Sequence, residues 1–142
     1  MDLLVVDSSV AVKWFIPEIH TDLARKIYSR YQNGDIGLLA PEFIHAEVGN
    51  IVWRKQIFEG MSASDAEAVI ANFQAVGIDL TSSADLLTSA YSLAVTYRIT
   101  VYDALYVALS IREQCRMVTS DERLFNATGT SLSNIVLLSN WS

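Results

Sequence analysis

The fold is decided by residues 1–17, which read MDLLVVDSSVAVKWFIP. Residues 3–6 form an apolar run rich in β-branched side chains, typical of a strand buried on both faces of a parallel sheet. Asp7 follows this strand directly, and a short helix is predicted after it, ending at Pro17. Side chains just beyond the carboxyl end of a central strand line the ligand crevice of open α/β sheets, so Asp7 is a candidate functional residue. A helix N-cap is the alternative role for Asp7.

Length and composition favour one ordered domain spanning residues 1–142. A chain of 142 residues can bury one sizeable core, and with 51% hydrophobic and 18% charged residues we expect a compact α/β protein. The lone Cys115 lies in an apolar pattern that predicts helix and core packing, and it favours a reducing compartment. Asp2 and Asp7 would interrupt any signal peptide, and no apolar run reaches the roughly 18 residues of a membrane span. We therefore expect a soluble, cytoplasmic protein.

Strand and helix patterns alternate along the rest of the chain. Strands are predicted at residues 36–40, 77–80, 116–119 and 135–138; helices are predicted at 21–31, 42–58, after a Ser64–Glu67 capping box, at 84–98, and from Asp103 onward. This alternation predicts a parallel sheet with right-handed crossovers.

Glu47 lies within the apolar face of the helix predicted at residues 42–58. At 100° per residue it shares one arc with side chains such as Val48 and Phe58, while Asn50 flanks that arc. A carboxylate on a buried face costs several kcal/mol unless it is paired or binds something. A salt bridge from Glu47 to Arg54 is the structural alternative to a functional role.

Asp103 and Asp121 also border apolar segments. Asp103 is predicted to open a helix that is apolar almost all round and hence buried, where the helix dipole favours an anion. Asp121 follows a predicted strand, and Thr119 with Glu122 also fits a capping box, in which case Asp121 is only a first-turn acid. Both positions are also compatible with a purely structural role.

Taken together, the four acids Asp7, Glu47, Asp103 and Asp121 indicate a site for hard divalent cations. Carboxylates gathered without Cys or His suit Mg²⁺ or Mn²⁺, which can activate water at a phosphodiester. Zinc is not favoured, because His20, His45 and Cys115 lack ligand spacing. The G-x-S-x-G motif of hydrolases and Gly-rich phosphate loops are absent from the sequence.

At these acids the sequence resembles the PIN-domain family, and within it the VapC-type toxins of bacterial and archaeal toxin–antitoxin pairs. The resemblance is carried by four stretches in the family's order, which span almost the whole chain: VVDSSVAVKWFIPE, AEVGN, VYDALYVALS and VTSDERL. It implies a three-layer α/β/α fold with a central parallel sheet of four to five strands. It also implies an Mg²⁺- or Mn²⁺-dependent endoribonuclease, a homodimer, and a small VapB-like antitoxin as partner.

Carried over by position, the four acids match the family's acidic quartet, and Ser9, Asn50 and Thr119 match its supporting polar positions. Our hypothesis is that Asp7 and Asp103 hold the principal ion, that Glu47 and Asp121 complete its coordination or that of a second ion, and that metal-activated water hydrolyses RNA. The formal charge of −6 does not exclude RNA, because without the four acids the remaining twelve acidic residues nearly balance ten basic ones. Nine of the basic residues remain to meet phosphates or a partner: Arg25, Lys26, Arg30, Arg54, Lys55, Arg98, Arg112, Arg116 and Arg123.

Three other functions remain open. A phosphatase of the haloacid dehalogenase type also places an Asp after its first strand, but it needs a second Asp where Ser9 stands. A non-catalytic interaction module would use the acids as caps and ion pairs, and it predicts no change of melting temperature with Mn²⁺. A PIN nuclease of RNA processing would need no antitoxin.

Overall fold

The computed structural model describes residues 1–142 and shows five strands alternating with helices. The strands are β1 (Asp2–Val6), β2 (Ile36–Pro41), β3 (Asp79–Thr81), β4 (Arg116–Thr119) and β5 (Ile135–Leu137). The helices are α1 (Ser8–Ala11), α2 (Thr21–Gln32), α3 (Ile44–Phe58), α4 (Ala63–Ala75), α5 (Ser83–Tyr97), α6 (Val101–Arg112) and α7 (Glu122–Thr128), with 3₁₀ turns at Val12–Trp14 and Leu138–Asn140. The predicted α/β class is confirmed.

The five strands form one parallel sheet in the order β3-β2-β1-β4-β5. From β1 the chain adds β2 and then β3 on one side of the sheet, and it adds β4 and then β5 on the other side. The direction in which strands are added therefore reverses between β1 and β4. Ligand crevices of open parallel sheets lie at the carboxyl ends of the strands beside such a reversal. The register pairs Val6 with Val118 and thereby places Asp7 beside Thr119.

β1 is buried over three of the four residues predicted, since Leu4, Val5 and Val6 are at most 2% exposed, whereas Leu3 near the start of the strand is 38% exposed. α6 contributes the other large part of the core, because every residue from Ala104 to Ser110 is buried. It packs against α5 and against β1, β2 and β4. This arrangement holds the first turn of α6 rigidly near the end of the central strand.

Three helix starts differ from the predicted ones because a different side chain caps each helix. α6 begins at Val101, since the Thr100 hydroxyl accepts a hydrogen bond from the Asp103 N–H, so Asp103 is the third helical residue. α4 is capped by Ser62 instead of Ser64. α7 is capped by Asp121 instead of Thr119, whose hydroxyl faces Asp7.

Two further predictions, the helical position of Cys115 and the burial of Phe58, are also wrong. Cys115 is not helical; it lies between α6 and β4, half-buried against the core, where burial raises the pKa of its thiol. Phe58 is 70% exposed because it ends α3 beyond the buried Ile44, Val48 and Val52. No helix combines the length and the apolar character that crossing a membrane requires.

Candidate active site

Four carboxylates from separate elements approach one another at the carboxyl end of the sheet. Asp7 follows β1, Glu47 lies in the first turn of α3, Asp103 lies in the first turn of α6, and Asp121 precedes α7. Their charges interact: Asp103 acts on Asp7 and Glu47, and Asp121 acts on Asp103. We call Asp7, Glu47, Asp103 and Asp121 the acid pocket.

Asp7 is the most deeply buried of the four, with 6% of the residue exposed. It caps α1, as the structural alternative predicts, by accepting a hydrogen bond of 3.2 Å from the Val10 N–H. Ser9 and Thr119 donate their hydroxyl groups to its two carboxylate oxygens. Burial nevertheless raises the pKa of Asp7 to about 6, because three hydrogen bonds do not offset the lost hydration. The capping role and a costly buried charge therefore coexist in one residue.

Ser9 and Thr119 connect Asp7 to the segment that carries Asp121. The Ser9 hydroxyl accepts a hydrogen bond of 2.9 Å from the Ser120 N–H, and the Thr119 hydroxyl accepts one of 3.1 Å from the Asp121 N–H. Each hydroxyl thus donates to Asp7 and accepts from the chain after β4. Two of the three predicted supporting residues thus link Asp7 to the segment that carries Asp121.

Glu47 is half-buried and accepts a hydrogen bond from the Tyr106 hydroxyl. None of the four ion pairs of the structure involves Glu47, so the alternative salt bridge to Arg54 does not form. Burial raises the pKa of Glu47 to about 7, and the charges of Asp7 and Asp103 act in the same direction. The charged form of Glu47 is therefore held in a setting that disfavours it.

Asp103 and Asp121 form the more open side of the pocket. Burial raises the pKa of Asp103, Asp121 adds to this effect, and Thr100 and the Arg123 guanidinium oppose it. Asp121 is oriented by the start of α7, because its Oδ1 accepts hydrogen bonds from the Arg123 N–H at 2.9 Å and the Leu124 N–H at 3.2 Å.

The donor set fits a hard divalent cation chemically, although no three Asp, Glu, His or Cys side chains form a ready-made cage. All four donors are carboxylates, the ligands that Mg²⁺ and Mn²⁺ prefer. No Lys or Arg forms an ion pair with any of them. A bound cation would offset the cost of burying these charges and would reduce their mutual repulsion, the two effects that raise these pKa values.

One residue of the site, Tyr106, was not predicted, and one predicted residue, Asn50, makes no recorded contact with the acids. Tyr106 lies in the helix predicted to be apolar almost all round, yet its hydroxyl donates a hydrogen bond to Glu47. Its spacing of three residues from Asp103 places both on one helix face, which is the signal that could have found it. Asn50 is exposed one turn after Glu47, and its supporting role stays a prediction.

This fold, with carboxylates gathered at the carboxyl end of a parallel sheet, is that of a known family. The model of the PIN domain family matches residues 4–129. The chain therefore belongs to the PIN domain family.

Within that family the chain is similar to VapC proteins. Ribonuclease VapC3 of Pyrobaculum aerophilum is 30% identical over 125 residues, which cover 85% of this chain and 91% of that relative. Two solved structures share the fold at lower identity. One is Mycobacterium tuberculosis VapC20, described as a sarcin-ricin loop cleaving toxin, with a TM-score of 0.65, 14% identity, and coverage of 88% of this chain and 95% of that one. The other is Rickettsia felis VapBC2 bound to a DNA fragment from its promoter, with a TM-score of 0.64, 13% identity, and coverage of 95% and 96%.

Proposed function

We propose that this chain is an Mg²⁺- or Mn²⁺-dependent endoribonuclease and the toxin of a VapBC-type toxin–antitoxin pair. The observation that carries the proposal is the acid pocket, where carboxylates from four elements repel one another and none forms an ion pair with a lysine or arginine. Such an arrangement lowers the free energy of unfolding, so it indicates a site where a ligand binds the carboxylates. The 30% identity to a ribonuclease of the VapC group supports RNA as the substrate.

Asp7, Glu47, Asp103 and Asp121 would hold the metal, whose chemistry is to lower the pKa of water and to stabilise charge on phosphoryl oxygens. The protein's own contribution is orientation. Ser9 and Thr119 fix both oxygens of Asp7, and the first N–H groups of α7 fix Asp121. These bonds leave the carboxylates in place before any ligand arrives, so little ordering is required on binding.

The proposed partners fit two uncovered apolar surfaces. Leu87, Tyr91 and Val95 are 53–64% exposed at four-residue spacing on α5, an apolar stripe suited to a second copy of the chain. A groove of about 410 Å³ between α3 and α4, next to the 52% exposed Trp53, suits an inserted segment of a small antitoxin. The VapBC2 complex among the structural relatives supports such a partner. We place the activity in the cytoplasm.

The proposal is tested by RNA cleavage with Mg²⁺ or Mn²⁺ and with EDTA. Asp103→Asn should lower the cleavage rate about a thousandfold, equivalent to roughly 4 kcal/mol, because an amide replaces an anionic ligand. Asp22→Asn, an exposed acid on α2, is the matched control and should cleave like the wild type. An Asp103→Asn variant that retains wild-type activity would contradict the assignment of the pocket.

The toxin role needs a separate test in cells. Expression of the chain alone should arrest growth, Asp103→Asn should not, and co-expression of the neighbouring reading frame should restore growth. Growth arrest that persists with every neighbouring frame would favour a nuclease without an antitoxin.

A further inference from the structure

A second polar cavity adjoins the acid pocket and has the opposite charge. It is a cleft of about 340 Å³ between the α1 segment and α3. Its polar lining residues, which we call the basic cleft, are Ser9, Lys13, Glu18, Arg54, Lys55, Glu59 and Ser120. The proposed mechanism uses none of its charged residues.

The charges of the basic cleft are unevenly matched. The ammonium groups of Lys13 and Lys55 lie 3.5 Å and 3.6 Å from the two oxygens of Glu18, and Lys55 also lies 3.5 Å from Glu59. Arg54 takes part in no ion pair. Three cations thus face two carboxylates, which leaves the cleft with an excess of positive charge.

Lys13 is the unusual member, because only 4% of this residue is exposed. A buried ammonium group costs several kcal/mol unless good hydrogen bonds satisfy it. Its single hydrogen bond, to Glu18 at 3.5 Å, is longer than a strong one. Lys13 therefore has donors to offer to a further anion inside the cleft.

The basic cleft and the acid pocket share a wall. Ser9 lines the cleft, donates its hydroxyl to Asp7, and accepts from the N–H of Ser120, which lines the cleft as well. If one phosphodiester of a nucleic acid lies at the acid pocket, a neighbouring phosphate of the same molecule lies near the basic cleft. The groove between α3 and α4 is more apolar and suits a protein segment better.

We propose that the basic cleft binds a phosphate of single-stranded RNA next to the one that is cleaved, with Lys13 and Arg54 as its donors. The inference rests on the proposed function, since it takes the acid pocket as the place of cleavage. It assigns the cleft to substrate positioning: Lys13 supplies a fixed ammonium from the floor, and Arg54 supplies a guanidinium from the rim.

The test measures binding of a fluorescein-labelled single-stranded RNA 12-mer in Ca²⁺, with the RNA checked to be intact, across 50–200 mM salt. Lys13→Met and Arg54→Met should each weaken binding roughly tenfold, the effect of one hydrogen bond to a charged group. Each should also reduce the slope of log affinity against log salt by about 0.7, the value for one phosphate on a single strand. Lys26→Met, an exposed cation outside the cleft, is the matched control.

Arg54→Met keeps the test decisive if Lys13→Met fails to fold, because Arg54 is exposed and in no ion pair. Affinity and salt slope equal to those of Lys26→Met in the folded variants would overturn the proposal. So would a loss of poly-L-glutamate binding without a loss of RNA binding, since the cleft would then contact a protein. A wild type that binds RNA through Lys13 and Arg54 but cleaves nothing in Mg²⁺ or Mn²⁺ would contradict the proposed function alone.

Discussion

The acid pocket and the basic cleft lie side by side, yet the chain treats charge differently in them. In the basic cleft, Glu18 lies between Lys13 and Lys55, so buried charges are partly matched within the protein. In the acid pocket, burial and mutual repulsion raise the pKa values of Asp7, Glu47 and Asp103, and no lysine or arginine forms an ion pair with them. The ion pairs of Glu18 therefore offset part of the cost of burying Lys13, whereas nothing in the protein offsets the repulsion in the acid pocket until a ligand arrives.

The largest expected effect of this difference is on stability against pH in metal-free protein. The pKa of Asp7 is about 6 in the folded state against 3.8 without burial, so the folded state holds more protons between these values. The contribution of Asp7 to the free energy of unfolding is therefore fully present below pH 4. It is lost as pH rises through 6, by about 3 kcal/mol in total. Glu47, with a pKa of about 7, extends the loss towards pH 8. Urea unfolding in EDTA from pH 4 to 8 measures it.

Asp7→Asn isolates that contribution, because an amide does not titrate in this range. The comparison concerns the slope of unfolding free energy against pH, since the variant also changes hydrogen bonds to Ser9 and Thr119. A shallower fall with pH is expected in the variant. Equal slopes in both proteins would show that Asp7 is not a strained charge.

A slightly smaller effect is expected from divalent metal. Mg²⁺ or Mn²⁺ at a hundredfold excess over its Kd should stabilise the folded state by about 2.7 kcal/mol. For a chain of this length the melting temperature should rise by roughly 8 °C. Asp103→Asn should reduce the rise, whereas Glu18→Gln should keep it, as a thermal scan would measure. A wild-type melting temperature that neither ion changes would favour the alternative function as a non-catalytic interaction module.

Removing one acid from each region should change stability in opposite directions. Glu18→Gln should destabilise the fold by about 2 kcal/mol, because it leaves the Lys13 ammonium buried without a carboxylate. Glu47→Gln should raise the melting temperature of metal-free protein at pH 8, because its Oε1 still accepts from Tyr106 while the repulsion by Asp7 and Asp103 ends. Both substitutions change net charge equally, so changes of the same sign would remove the proposed contrast.

Sequence reasoning found the acid pocket more readily than the basic cleft, for a physical reason. A carboxylate directly after an apolar strand, as at Asp7, or within an apolar helix face, as at Glu47, contradicts its surroundings and is visible in the pattern. Lys13 sits among apolar residues too, but the second cation that contacts its partner Glu18 is Lys55 of α3, and only the folded chain brings the three together. Contacts between distant segments leave no local signature.

Helix boundaries were predicted less well than helix faces. Several hydroxyls and carboxylates near Thr100 and Asp121 could cap the helices that begin there. Which of them does so depends on the other hydrogen bonds that each side chain makes. Thr119 illustrates this, since its hydroxyl donates to Asp7 and does not cap α7. The fold class needs no such detail, because it follows from the alternation of buried strands and helices.

The smallest effect concerns Tyr106, whose hydroxyl donates a hydrogen bond to Glu47 of the acid pocket. Tyr106→Phe removes one hydrogen bond, a loss of about 1 kcal/mol, and should lower kcat about fivefold with little change in KM. The bond lowers the pKa of Glu47, so its loss should shift the acid limb of the pH–rate profile to higher pH. A Phe variant with lower stability and an unchanged profile would show that Tyr106 serves packing alone. A shifted profile at unchanged stability would show that α6 orients Glu47 of α3 through the Tyr106 hydroxyl.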